Sequence, residues 1–243
     1  MGKSYWSDFP QYDQPSAEVL RRRAEESAKK AEQKGKTYEP VHIQGRAVCT
    51  HWWGKAWCDN MEQYADYATR LPRGKRYVRN GTVIDLKVIS GRVKALVQGT
   101  KRAPYKVTIR ISPLAEEVCD RIIGQCARKI ENMEALVGGE FPQEMKELFT
   151  GKDGLFPTPR EISFQCSCPD WALMCKHVAA AMYGVGVRLD ENPFYFFSLR
   201  GLDVDRFIDV TLENRVEQML ANADVRTPRV IEEADMFALF GIG

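Results

Sequence analysis

A chain of 243 residues with 44% hydrophobic content can fill a substantial core without disulfides, and its seven cysteines, an odd number, argue for metal binding or simple burial. No stretch approaches the roughly 18 uninterrupted apolar residues of a membrane span, and the start, MGKSYWSDFPQYDQ, lacks the apolar core of a secretory signal, so the reading is a soluble, cytoplasmic protein with no membrane partner. The net charge of +2 conceals a strong asymmetry: twelve basic residues against the single acid Asp85 between Arg70 and Arg110 give that segment +11 and leave −9 on the rest.

In chain order, the first fifteen residues have no clear periodicity, and Ser16 is placed to cap a helix running to about Lys34, ended by Gly35. Its apolar positions, Leu20, Ala24, Ala28 and Ala31, make only a thin stripe, as expected of a mostly solvated helix. A short strand over VHIQGRAV precedes THWWGKAWCDNMEQYADYATRL, where Trp53, Trp57, Met61, Tyr64 and Ala68 recur at helical steps and read as one core-facing stripe. LPRGKRY reads as a turn.

The period then changes to two. Strands are predicted over Thr82 to Ile89, Arg92 to Gln98 and Tyr105 to Ile111, with Ser90-Gly91 as a tight hairpin connection. Ile84, Leu86 and Val88, then Val93, Ala95 and Val97, then Val107, Ile109 and Ile111 share the buried faces. The other side carries Asp85, Lys87, Arg92, Lys94, Lys106, Thr108 and Arg110, giving an antiparallel sheet with one wet, basic face.

Leu114 to Leu148 is helical in pattern, interrupted at Gly138-Gly139, with Cys119 and Cys126 as buried thiols. The linker TGKDGLFPTPR leads to a short strand, EISFQ, and then a helix from about His177 to Tyr183. ENRVEQML reads as a further helix, and the terminal EEADMFALFGIG carries apolar residues that should dock or bind something.

Between that strand and helix lie Cys166, Cys168, Cys175 and His177. A structural zinc site needs four soft or borderline ligands in a closed tetrahedron, and a Cys-x-Cys pair followed after six residues by a Cys-x-His pair supplies them on one short loop. The second pair sits at the mouth of a helix, whose free amides favour thiolates. A redox pair would normally read Cys-x-x-Cys, which is absent; buried unreactive thiols are the competing account. Cys49, His51 and Cys58 look superficially like a reversed copy, but they offer three ligands in a tryptophan-rich segment, with His42 needed to complete the set, and are read as core.

CSCPDWALMCKHVAA resembles the SWIM zinc finger, whose Cys-x-Cys and Cys-x-His pairs fall on Cys166, Cys168, Cys175 and His177. WWGKAW, LPRGKRY, PYKVTIRI, NPFYFFSLRG and ALFGIG extend the resemblance to the bacterial SWIM zinc-finger proteins over most of the chain. It implies a DNA-binding or protein-interaction module and, as a partner, a Swi/Snf-type helicase-like ATPase. The long charged N-terminal helix and the cysteines at 49 and 58 depart from the pattern.

The expected fold is α+β, an antiparallel sheet packed with helices, plus a small SWIM-type zinc finger and a helical C-terminal region. Its expected divisions are a charged arm and helix (1–40), an α+β domain with the basic sheet (41–150), the finger with its linker (151–187), and a helical region with an acidic, apolar tail (188–243). A zinc centre with three thiolates carries a formal charge near −1, so a polyanion is drawn to the basic segment instead. The candidate nucleic-acid contacts are Arg73, Lys75, Arg76, Arg79, Lys87, Arg92, Lys94, Lys101, Arg102, Lys106 and Arg110, with DNA favoured over RNA. No nucleotide-binding loop of the Gly-x4-Gly-Lys-Ser/Thr type occurs, and the chain is read as a non-enzymatic accessory protein. The alternative is a protein-interaction adaptor that docks an ATPase or other complex without touching nucleic acid.

Overall fold

The computed structural model describes residues 15–129, 142–151 and 154–221. The first fourteen residues, the Gly138-Gly139 interruption and the terminal EEADMFALFGIG lie outside the described residues.

The alternation read from sequence becomes β1 (Val83–Ile89), β2 (Arg92–Val97) and β3 (Tyr105–Ile111), joined by β4 (Ile162–Cys166) in one antiparallel sheet of order β1-β2-β3-β4. Gly91, at φ +63°, makes the β1–β2 turn. Every second residue of β2 and β3 is buried, as their pattern requires. The β1 edge is capped by the chain before it, where the Val41 amide donates to the Val83 carbonyl and the Leu86 amide donates to the Glu39 carbonyl.

Against the buried face of this sheet lies α6 (Lys176–Glu191), with α3 (Arg70–Arg79) and α2 (Trp52–Glu62) on its far side. A helix enclosed in this way must be apolar nearly all round and slim, and VAAAMYGVGV meets both demands. A Cβ added at Gly184 would come within 2.8 Å of Leu86 Cδ1, and one at Gly186 within 2.8 Å of Cys58 Sγ. These glycines allow close approach, so the helix expected to end near Tyr183 continues to Glu191.

The tryptophans fasten α2 to α6. Trp53 Nε1 donates to the Leu189 carbonyl at 2.9 Å and Trp57 Nε1 to that of Met182 at 3.1 Å. Trp57 is buried and meets Phe156 and Phe196 edge to face, a site where truncation to alanine costs about 3–5 kcal/mol. The helix stops at Glu62, so of the expected stripe Trp53, Trp57 and Met61 are core, Tyr64 is half-buried beyond the helix end, and Ala68 is exposed.

LPRGKRY is a helix, not a turn. Thr69 precedes α3 without a side-chain capping bond, and Pro72 falls in the first turn, where the missing amide would have had no helical partner anyway. Gly74 serves contact: a Cβ there would sit 2.5 Å from Ala179 Cβ. The remaining helices are α1 (Ala17–Glu32), capped by Ser16 and touching β1; α4 (Glu116–Lys129); the short α5 (Lys146–Thr150); α7 (Tyr195–Arg200); and α8 (Val204–Ala221), which packs on α4. Cys119 and Cys126 are buried on α4. One buried cluster runs through Leu20, Trp57, Leu86, Val178 and Phe207. No helix of the described residues is long and apolar enough to cross a membrane.

Candidate metal centre

Cys166 is the last residue of β4, Cys168 follows two positions later, Cys175 is the N-cap of α6 and His177 lies in that helix's first turn. The chain between them folds back so that the three sulfurs and one imidazole nitrogen lie within 4.8 Å of one another. His177 Nδ1 is 3.9 Å from Cys166 Sγ and 4.0 Å from Cys175 Sγ. A tetrahedral ion with metal–sulfur bonds of about 2.3 Å would space its sulfurs by roughly 3.8 Å, so a small contraction closes the shell. The cluster can hold a metal ion.

Hydrogen bonds within the cluster, with help from the helix mouth, polarise it. Cys175 Sγ accepts from the Val178 amide at 3.5 Å, the usual role of a helix cap. Its thiol is drawn down to about 4, mainly because Cys166 donates a hydrogen bond to it, with burial opposing and His177 and the Val178 amide assisting. Cys166 is pushed up by keeping that shared proton and by burial, and Cys168 is pushed up chiefly by burial. A metal ion would therefore displace protons from Cys166 and Cys168 as it bound.

The imidazole is fixed from three sides. Tyr105 stacks on it with centroids 4.1 Å apart and planes 24° from parallel, and Tyr77 meets it edge-on at 5.5 Å. Gly99 closes the third side, since a Cβ there would lie 3.0 Å from His177 Nε2 and 2.6 Å from Tyr105 Cε2.

The metal loop is anchored at both ends. Toward the sheet, the Lys106 amide donates to Ser167 Oγ at 2.9 Å and the Ser167 amide donates to the Lys106 carbonyl at 3.0 Å. Toward the helical layer, the Asp66 carboxylate accepts from the amides of Leu173 at 2.7 Å and Met174 at 3.1 Å. Asp170 pairs with Arg70 at 3.1 Å. Lys176, the first residue of α6, places its Nζ 5.8 Å from the Tyr77 ring centre. Asp66, Arg70, Gly99 and Tyr105 were not identified as supports of the cluster. No local motif links them to it, because their distance in sequence is bridged only by the fold.

Cys49 and Cys58 also meet, with sulfurs 3.6 Å apart beneath Gly186. Burial and hydrogen bonding to Cys49 push the Cys58 thiol up, the hydrogen bond being the larger effect. His51 is exposed, stacks on Trp53 and faces Asp190 at 3.8 Å, while His42 is exposed and lines a cleft between α1 and β1.

The basic residues divide between two regions. Lys87 stands directly opposite Lys94, and Arg92 opposite Arg110, on the open face of the sheet, with Lys106 on the same face opposite Leu96. Lys101 and Arg102 are exposed in the β2–β3 loop. Arg73, Lys75, Arg76 and Arg79 ride on α3, which packs on α6, so the helical layer separates them from that face. Three of these four are engaged: Lys75 with Glu62 at 2.8 Å, Arg76 with the Pro15 carbonyl at 3.3 Å, and Arg79 with the Arg46 carbonyl at 3.0 Å. On the sheet, Lys87 is 3.6 Å from Glu39 and Arg110 donates to Gln165, whereas Arg92, Lys94 and Lys106 have no ion-pair partner among the described residues.

Comparison with known proteins gives one informative relationship. No family model matches the chain, and no solved structure matches it. The uncharacterized protein Rv2102 of Mycobacterium tuberculosis is 37% identical over 157 residues, which are 64% of this chain and 56% of that protein, so the chain spans little more than half of its relative's length.

Proposed function

We propose that the protein is a zinc-binding, non-enzymatic accessory protein that holds nucleic acid, duplex DNA in preference to RNA, on the open face of its sheet. The observation that carries this reading is the pairing of like charges across neighbouring strands, Lys87 with Lys94 and Arg92 with Arg110. Like charges placed directly opposite destabilise a sheet, and a polyanion laid over them turns the same arrangement into attraction. Among the described strand residues the face bears basic and small polar residues and one acid, Asp85, with Ile89 and Leu96 as its apolar members and no aromatic. Such a surface suits phosphate backbone better than unstacked bases.

Zinc is the proposed ion because three thiolates and an imidazole in a closed set match its tetrahedral preference and leave no open position for catalysis. Its role is to fix the junction of β4 and α6. With the SWIM resemblance, this reading places the chain in the cytoplasm beside a Swi/Snf-type helicase-like ATPase.

The test is titration of a fluorescent DNA duplex with the zinc-loaded chain over a range of salt. Replacing Lys87, Lys94, Lys106 and Arg110 by glutamine should lower affinity and flatten the slope of log K against log salt by about 3.6 if each contacts one phosphate. A folded variant that binds as the parent does defeats the proposal. Metal analysis should find one zinc per chain.

A further inference from the structure

The tip of the metal loop carries two large apolar side chains that the fold turns outward. Trp171 is 78% exposed and Leu173 70%, and Tyr67, 40% exposed, meets Trp171 edge-on with ring centroids 5.2 Å apart. Single exposed hydrophobic residues are commonplace, but three large ones gathered at one point mark an interaction site.

This tip is held in place. On one flank Asp66 binds the Leu173 and Met174 amides; on the other Arg70 binds Asp170, and its guanidinium lies 5.9 Å from the Tyr67 ring centre. Cys166 and Cys168 at one end of the loop and Cys175 and His177 at the other bring their ligand atoms within 4.8 Å of one another. Fixing the backbone beneath exposed aromatic and aliphatic groups removes much of the ordering cost of binding through them.

We propose that Trp171, Leu173 and Tyr67 form a docking knob for another protein, one that presents an uncharged apolar groove with an acidic rim. Local charge selects this occupant. Asp66 and Asp170 are already matched by the loop amides and Arg70, so the centre of the knob suits an uncharged lining. Arg73, one turn beyond Arg70 on α3, is exposed and has no ion-pair partner among the described residues, and it supplies the positive edge that an acidic rim complements. A nucleic-acid strand fits less well: Trp171 and Tyr67 stand edge-on at 84° and offer no parallel pair of platforms to successive bases, Leu173 offers no face to stack on, and the neighbouring Arg70 is committed to Asp170. The knob is separate from the basic sheet face and stands whether or not that face binds DNA.

The test uses the full chain, with a benzophenone amino acid at position 173, expressed and photo-crosslinked in its native cells. The cross-linked protein is then purified and titrated with the unmodified chain. The expected result is one protein adduct whose purified form binds and loses at least about 30-fold in affinity with Trp171→Ser, in keeping with a buried tryptophan anchor. Arg73→Glu should weaken binding about fivefold, and the four-glutamine sheet variant should leave it unchanged. Metal content and the urea midpoint of Trp171→Ser should equal those of the parent, because the ring contributes little to the core. Adducts only to nucleic acid or to a second copy, no adduct, or a partner that binds Trp171→Ser as tightly as the parent would overturn the proposal.

Discussion

Tyr105 lies almost flat against His177, 4.1 Å away, and the contact joins the start of β3 to the first turn of α6. Tyr105→Ala frees the imidazole to rotate and should weaken metal binding by roughly tenfold, the low end for a residue that orients a ligand. Tyr105→Phe keeps the ring and should bind like the parent. Competition with a chromophoric chelator measures both.

Gly74 packs on α6 where any side chain collides. An alanine Cβ would meet Ala179 Cβ at 2.5 Å and the α6 backbone at 3.0 Å, neither of which can swing aside. Gly74→Ala should therefore destabilise the protein by about 1–3 kcal/mol, read as a lower urea midpoint, although alanine is the better helix former.

Arg200 is buried and binds the Ser112 carbonyl at 2.7 Å and the Glu161 carboxylate at 2.5 Å. Burial pushes the Glu161 carboxyl up, but Arg200 and Thr158 together hold it below its ordinary value. A depressed carboxylate stabilises the fold above its unfolded pKa, about 4.3, and that contribution fades as pH falls through the lower folded value. Urea midpoints measured from neutrality into acid should show the loss, and Glu161→Gln should reduce the midpoint at neutral pH while flattening its acid dependence. Leaving Arg200 without its carboxylate should cost about 2–3 kcal/mol.

The cysteines should separate by role. Cys175→Ala should abolish metal retention, whereas Cys126→Ala, which removes a buried thiol from α4, should leave the stoichiometry unchanged. Metal should also be released as pH falls, because protons and the ion compete for the same thiolates. Atomic emission on dialysed protein checks each case.

The two groups of basic residues should behave differently in DNA binding. Glutamine at Arg76 and Arg79, both held by backbone carbonyls in the helical layer, should leave the salt slope unchanged. Glutamine at Lys94 and Lys106 should reduce it by about 1.8.

The strands and the Cys/His cluster were legible because each depends on local spacing: period two for β1 to β3, and a Cys-x-Cys and a Cys-x-His pair within twelve residues for the cluster. The segment LPRGKRY was misread because proline and glycine usually signal a turn, whereas here Pro72 occupies a first-turn position that needs no amide and Gly74 answers to a neighbour a hundred residues away. The same contact logic extends α6 through Gly184 and Gly186. The division of the basic segment between sheet and α3 was hidden as well, since charge counted along a chain carries no information about which side of a layer it reaches.

Among the described residues β4 pairs only with β3, and its final residue, Cys166, is one of the four candidate ligands. The ion would thus clamp the margin of the sheet. Stripping it loosens the strand whose departure bares the hydrogen-bonding groups of β3, a ready template for a strand from another molecule. Chelation during purification should accordingly reveal itself as turbidity and intermolecular β-structure before any soluble unfolded chain accumulates.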